Sequence, residues 1–385
     1  MSGKPLFVFG LARSGTNLLA RMLDRHPEVT VALDPFLPLF RSLRNALVAA
    51  RATEAVKRRF SPDAPFQDYY FDPDGPALLD LVLEGQADLP LDPVELGALR
   101  HRAAQRAALE SPALGARLAG LAGRNYGELL CSGLDIVASE KPGVRWAGSK
   151  EVWVLEFVPL LARLFPDARF FAVERDPRAV VASLLAMAEK DPTQAAHPPS
   201  YLRHWRKQVA LTHRFGRDPL LAGRFRSISF ERLATLPEEE ARSLCDDMDI
   251  DFDPEMLRLS ADGWQGNSSF DHGGRDIYSE TVDRWRQVLP ARVVEAADYL
   301  CGPEMALTPY RPATAPRAEE VLAYLQEAGR SAGSWRSDSG DLMSDFGGEM
   351  VRHALLGTIN EPDESLVRRC FLFGNVFGQL RRSGV

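Results

Sequence analysis

The stretch Leu6-Phe7-Val8-Phe9-Gly10-Leu11-Ala12-Arg13-Ser14-Gly15-Thr16-Asn17 decides how the rest of the chain reads. Residues 6–9 form a short apolar run closed by Pro5 and Gly10, the pattern of a strand buried on both faces. From Thr16 to Arg25 the apolar residues Leu18, Leu19, Met22 and Leu23 recur at helical spacing, and His26-Pro27 ends the helix. Between them, Gly10 and Gly15 have the separation of a P-loop, but Thr16 stands where the usual lysine would be, followed by Asn17. Two glycines let the backbone curl so that successive N–H groups face inward, and the helix N-terminus adds partial positive charge. The lysine that clamps β/γ-phosphates is gone, as is the hydroxyl that usually ligates magnesium, and Arg13 supplies a different cation. The turn reads as a site for a phosphate ester. An ordinary nucleotide triphosphatase is disfavoured.

Working outward, residues 29–33 look like a second strand that delivers Asp34-Pro35 at its C-terminal end. From about 35 to 140 the chain is rich in Ala, Leu and Arg, helical in pattern and punctuated by Pro and Gly, which reads as a helical insertion. The strand–helix alternation resumes with a strand at 144–149, a helix near 152–165 and a strand at 169–173. Glu174-Arg175-Asp176-Pro177-Arg178 then opens a helix over 179–188, and 225–230 is a further strand. The predicted fold is α/β: a P-loop-like, mainly parallel sheet flanked by helices, with a helical insertion. The expected organisation is one α/β domain over residues 1–310 and a C-terminal segment over 311–385 whose role the sequence does not assign.

The second turn repeats the logic of the first. Arg175 and Arg178 can grip an anion with fork geometry, and Ser183 can add a hydroxyl. The competing reading pairs both arginines with Glu174 and Asp176 at the surface. Two such turns in one sheet favour a doubly phosphorylated ligand.

Composition narrows the class. The 385 residues are 45% hydrophobic and 26% charged, an ordinary globular balance. With 46 Lys+Arg against 53 Asp+Glu the net charge is −7, which disfavours a nucleic-acid coat or an anionic-membrane binder. The four cysteines lie far apart, so neither a zinc ribbon nor a disulfide scaffold is expected. The most apolar stretch, near 152–165, is interrupted by Glu156 and Arg163 and falls short of a membrane span. No signal-peptide pattern is visible, so a cytoplasmic protein is expected. No cluster has metal-ligand spacing, and metal-independent chemistry is expected. The oligomeric state is not legible.

These residues resemble the sulfotransferases that use 3′-phosphoadenosine-5′-phosphosulfate, most closely the branch with tyrosylprotein and bacterial members. Arg13-Ser-Gly-Thr-Asn-Leu-Leu, Met22-Leu23 and His26-Pro27-Glu28-Val29 resemble that branch's 5′-phosphosulfate loop and its helix. Val173-Glu-Arg175-Asp-Pro-Arg178 with Ser183 is similar to its 3′-phosphate motif. Trp146-Ala-Gly-Ser149-Lys150 is similar to the segment that places a second basic residue near the transferred group. Weaker similarities fall at Ser229-Phe-Glu231-Arg-Leu233 and at Tyr278-Ser279-Glu-Thr281 with Arg284-Trp285-Arg286, a late nucleotide-binding segment. The resemblance spans roughly residues 5–50 and 141–310.

The resemblance implies a sulfotransferase that moves a sulfuryl group to a hydroxyl or amine of a small molecule, lipid or natural product. The product nucleotide would be 3′,5′-adenosine bisphosphate. It implies that Arg13, Ser14, Gly15, Thr16, Asn17, Arg175, Ser183, Tyr278 and Arg284 hold the donor, and that Arg13, Lys150 and Asp34 are catalytic. Close members place a glutamate base after the second strand; counting from His26-Pro27, that position is Asp34, one methylene shorter. Some branches use a histidine, so His197, His204, His213 and His272 stand as alternative bases. Tyr201 and Trp205 read equally as helix packing or as pocket walls. Two rivals remain: a P-loop kinase or nucleotide hydrolase, and a protein that binds 3′,5′-adenosine bisphosphate without turnover.

Overall fold

A computed structural model describes residues 3–191, 198–259, 277, 279–330, 342–358 and 361–383. Five parallel strands form the sheet: β1 (Lys4–Gly10), β2 (Val29–Leu33), β3 (Trp146–Val152), β4 (Arg169–Glu174) and β5 (Phe225–Ser229), in the order β2-β3-β1-β4-β5. Period-two alternation divides β1 between two cores. Leu6 and Val8 pack with Leu19, Met22 and Leu23 of α1 (Thr16–Asp24), while Phe7 and Phe9 pack into a larger core on the other face. Full burial of each such side chain contributes about 1.5–3 kcal/mol. A sheet covered on both faces follows from that alternation, and the strand–helix pattern of the sequence is realised.

Between β2 and β3 the chain forms six helices: α2 (Leu37–Arg51), α3 (Glu54–Arg59), α4 (Gly75–Leu83), α5 (Pro93–Ala108), α6 (Pro112–Leu118) and α7 (Tyr126–Ala138). Thr53, Asp92, Ser111 and Asn125 accept first-turn N–H groups and so start four of them. These helices and α8 (Val158–Leu164) cover the Phe7–Phe9 face. After β4 come α9 (Pro177–Lys190) and α10 (Pro198–Phe215); after β5 come α11 (Phe230–Thr235), α12 (Pro237–Met248), α13 (Trp285–Val288) and α14 (Ala291–Met305).

The last helices, α15 (Ala318–Arg330), α16 (Leu342–Leu356), α17 (Glu364–Phe371) and α18 (Gly374–Arg382), pack back on the rest. Cys370, Phe371 and Leu380 join the core of the insertion, and Arg368 forks onto Asp80 of α4 at 2.7 Å. On α16, Glu349 accepts from Arg206 of α10 at 2.6 Å, and Arg352 is bonded to Glu304 of α14; all four side chains are buried. The cysteines are unbridged. No described helix is long and apolar enough to cross a membrane.

One boundary differs from expectation in a way that matters. Strand β3 runs to Val152 rather than ending near 149, so Lys150 and Glu151 sit inside it, both buried. Charged residues argue against a buried strand in a sequence, and here partners on the neighbouring turn offset that cost. The helix expected from 152 begins later. Trp153 adopts φ 73 with its N–H on the Gly10 carbonyl at 3.2 Å, a single 3-10 turn follows at Leu155–Phe157, and α8 starts at Val158.

Candidate active site

The site lies at the C-terminal ends of β1, β2, β3 and β4, where open α/β sheets place their ligands. The register fixes the geometry: Leu33 and Val8 flank Lys150, and Gly10 sits between Val152 and Val173.

After β1 the loop curls as its glycines allow. Gly15 has φ 98, and a Cβ there would lie 2.2 Å from the Phe230 ring, so no side chain fits. Ser14 spends both its N–H (3.1 Å) and its hydroxyl (2.6 Å) on the Leu11 carbonyl, which pins the loop. Thr16 and Asn17 are the first two residues of α1, the former buried and the latter half-buried. Arg13 takes φ 72 and donates from Nε to Ser183 Oγ on α9 at 3.0 Å. The two basic turns are thereby joined.

Arg175 makes the second connection. Its Nη groups donate to the carbonyls of Arg13 (3.0 Å) and Thr281 (3.1 Å), and its guanidinium lies 4.1 Å over the Phe230 ring. Burial pushes its pKa down to about 10, with Glu231 opposing and Arg13 adding to the effect, so it stays charged at neutral pH. Its Nε is buried with no partner. Arg178 behaves differently, and the expectation that it helps grip an anion is corrected. Its guanidinium is taken by Asp176 (2.7 Å) and Asp298 (3.1 Å) and rests over Trp285. Those carboxylates are its counter-ions, so it braces α9 against α14.

At the β2 end, Asp34 has φ 51, and its N–H donates to the Lys150 carbonyl at 2.7 Å. Lys150 Nζ is bonded to Asp34 Oδ2. The Asp34 side chain is 22% exposed and that of Lys150 only 3%. Aspartate is among the non-glycine residues that tolerate the left-handed region, and here that turn sets the carboxylate beside Lys150.

Several neighbours escaped the sequence reading. Arg106 of α5 donates to the Asp34 carbonyl at 2.9 Å. Glu151 accepts from the Phe36 N–H at 2.7 Å. Phe230 lies under both Gly15 and Arg175. Adjacency to Lys150 was the available signal for Glu151; nothing local marks Arg106 or Phe230.

The remaining expectations place as follows. Glu231 accepts from the Asp176 N–H (2.9 Å) and from the hydroxyls of Ser229 (2.9 Å) and Tyr310 (2.6 Å). Arg284 precedes α13 and is half-buried, and Tyr278, His197 and His272 lie outside the described residues. His204 is buried edge-on to Trp153, and burial with Lys207 nearby pushes its pKa down to about 3, which makes it a weak base. His213 Nδ1 is engaged by Arg217 at 3.2 Å. Tyr201 packs edge-on against Trp153, and Trp205 Nε1 donates to the Arg175 carbonyl at 2.8 Å. Among the described residues no group of three or more His, Cys, Asp or Glu could hold a metal ion.

Fold and loop together define a P-loop-like α/β protein whose first turn carries glycines but no lysine. The family model for the sulfotransferase family matches residues 5–254, and the chain belongs to that family. It is 30% identical over 201 residues to human carbohydrate sulfotransferase 3 and 28% over 200 residues to the rat protein, in each case 46% of this chain and 41% of the relative. The chain thus spans well under half the length of the curated relatives it matches. The sulfotransferase domain from the Synechococcus PCC 7002 olefin synthase aligns with a TM-score of 0.43 at 16% identity, covering 75% of this chain and 90% of that one.

Proposed function

We propose that the protein transfers a sulfuryl group from 3′-phosphoadenosine-5′-phosphosulfate to a hydroxyl or amine of a small molecule, lipid or natural product, in a cytoplasmic setting. The observation that carries this reading is the 3.0 Å bond from Arg13 to Ser183, which makes the two basic turns one site. A donor with phosphates at both the 5′ and 3′ positions suits such a site better than ATP does.

The residues fit that donor. The curled loop and the start of α1 offer N–H groups to the 5′ end, while Ser183 and the unpartnered Arg175 Nε face the 3′ requirement. The donor supplies an activated sulfuryl group on a 5′-phosphate. Arg13 stabilises the negative charge that grows there, and Lys150 does the same from the β3 end. Asp34 takes the acceptor proton, a role worth about 10²–10⁴-fold. Holding the acceptor oxygen in line is the remaining task, and Arg106 of the insertion is placed to fix the Asp34 turn for it.

The test is incubation with ³⁵S-labelled donor, host-cell extract and a panel of hydroxylated acceptors, beginning with saccharides because the curated relatives are named carbohydrate sulfotransferases. A labelled product that requires both protein and donor is expected. Magnesium-dependent ATP turnover indifferent to a 3′-phosphate would overturn the reading in favour of a kinase or hydrolase. Tight binding of 3′,5′-adenosine bisphosphate with no labelled product would leave a nucleotide-binding protein.

A further inference from the structure

Lys150 and Glu151, adjacent on β3, both grip the short turn over residues 34–36. Lys150 bonds Asp34 Oδ2, and Glu151 Oε1 accepts from the Phe36 N–H. That leaves one oxygen on each carboxyl group, Asp34 Oδ1 and Glu151 Oε2, and both are buried without a hydrogen-bond partner. Glu151 is 0% exposed. Bare carboxylate oxygens in a buried turn are costly, because neither water nor a donor replaces the lost hydration. Two ionised carboxylates would face one ammonium, that of Lys150. Arg106, the other cation there, gives its Nε to the Asp34 carbonyl.

A single proton resolves both defects. Two carboxylates cannot share one site with both charges intact, and a proton on one turns the pair into donor and acceptor. We propose that Glu151 is a protonated positioning residue whose Oε2–H donates to Asp34 Oδ1, leaving Asp34 Oδ2 beside Lys150 to receive the acceptor's proton. This rests on the functional reading above.

The electrostatics agree with the geometry. Burial holds the Glu151 carboxyl well above the usual carboxylate range and the Asp34 charge adds to that, against the Phe36 N–H, Lys150 and Arg106. The step balances with the donor named above: the acceptor O–H bond breaks and Oδ2 gains the proton, the oxygen's electron pair forms the new bond to sulfur, and the bond from sulfur to the 5′-phosphate breaks with its electron pair leaving on 3′,5′-adenosine bisphosphate.

Infrared difference spectroscopy on the full chain at neutral pH reads the proposal without knowledge of the acceptor. A protonated-carboxyl C=O band is expected in the wild type and absent from Glu151→Gln. The glutamine keeps the Phe36 contact through its carbonyl and can donate to Asp34 through its amide, so the fold is retained. In Asp34→Asn the opposing charge is removed, and the band should titrate away at lower pH, by a unit or more. No band lost in Glu151→Gln, or a band whose titration ignores Asp34→Asn, would overturn the proposal. Binding of 3′,5′-adenosine bisphosphate to the same samples tests the functional reading separately: wild type that does not bind it sinks that reading and leaves the infrared result interpretable.

Discussion

At the β1–β4 end of the site most polar groups are already satisfied by their own protein: Ser14 by the Leu11 carbonyl, the Nη groups of Arg175 by the carbonyls of Arg13 and Thr281, Arg178 by two aspartates, with the Arg175 Nε left over. At the β2–β3 end the opposite holds. Lys150 and Asp34 face each other in a part-buried pair, while one oxygen of Asp34 and one of Glu151 have no partner but the shared proton proposed above. The contrast separates two tasks. A cradle that must hold a large anion in one pose gains from rigid cross-links made in advance. A group that must exchange a proton has instead to have its charge set by its neighbours, here an ammonium on one oxygen and a second carboxyl on the other.

The largest test of that contrast is Lys150→Ala. It removes the ammonium bonded to Asp34 Oδ2, so sulfate transfer should fall by about 10²–10³-fold. Calorimetric affinity for 3′,5′-adenosine bisphosphate should change far less; an equal loss in both would erase the division of labour. Arg106→Ala should act on the same end more gently. Loss of one charge-assisted hydrogen bond to the Asp34 carbonyl is worth about 1.5–3 kcal/mol at most, so turnover should drop by no more than roughly 10–10²-fold with nucleotide affinity unchanged.

The smallest effect concerns His204, which packs edge-on against Trp153. The folded state takes a proton there only near pH 3, whereas the unfolded chain takes one near 6.5. The stability this contributes is complete above pH 6.5 and drains away as pH falls towards 3. Denaturant midpoints of His204→Gln should therefore vary less with pH across that window, and activity at neutral pH should persist. If transfer collapses instead, His204 belongs with the proton-handling end.

Much of the donor end is legible in the sequence because its parts are local. Gly10, Arg13 and Gly15 lie within six residues, and Pro177 marks the start of α9. The reactive end is hardly legible from residue patterns. Asp34 and Lys150 meet across 116 positions, and only the family resemblance brought them together on the page. Lys150 and Glu151 also hid the true end of β3, since buried charge contradicts the apolar pattern by which strands are found. Arg106 sits on an amphipathic helix that also carries Arg100 and Arg102, and nothing local marks it out from them. Arg178 misled in the other direction: its pattern suggests an anion grip, and its distant partner Asp298 takes the charge.

The helices beyond the family-matched region bear on how the protein can be cut. Arg206 and Glu304 are fully buried, and their counter-charges, Glu349 and Arg352, come from α16. A chain shortened after residue 310 would strip Arg206 and Glu304 of their bonded counter-charges and leave those two groups only their longer-range attraction to each other. Stranding one partner of a buried pair costs about 3–5 kcal/mol, a large share of a net stability of roughly 5–15 kcal/mol. The minimal folding unit is thus longer than the recognisable one, and a search for the smallest active fragment has to begin from the C-terminal helices, not from the motifs.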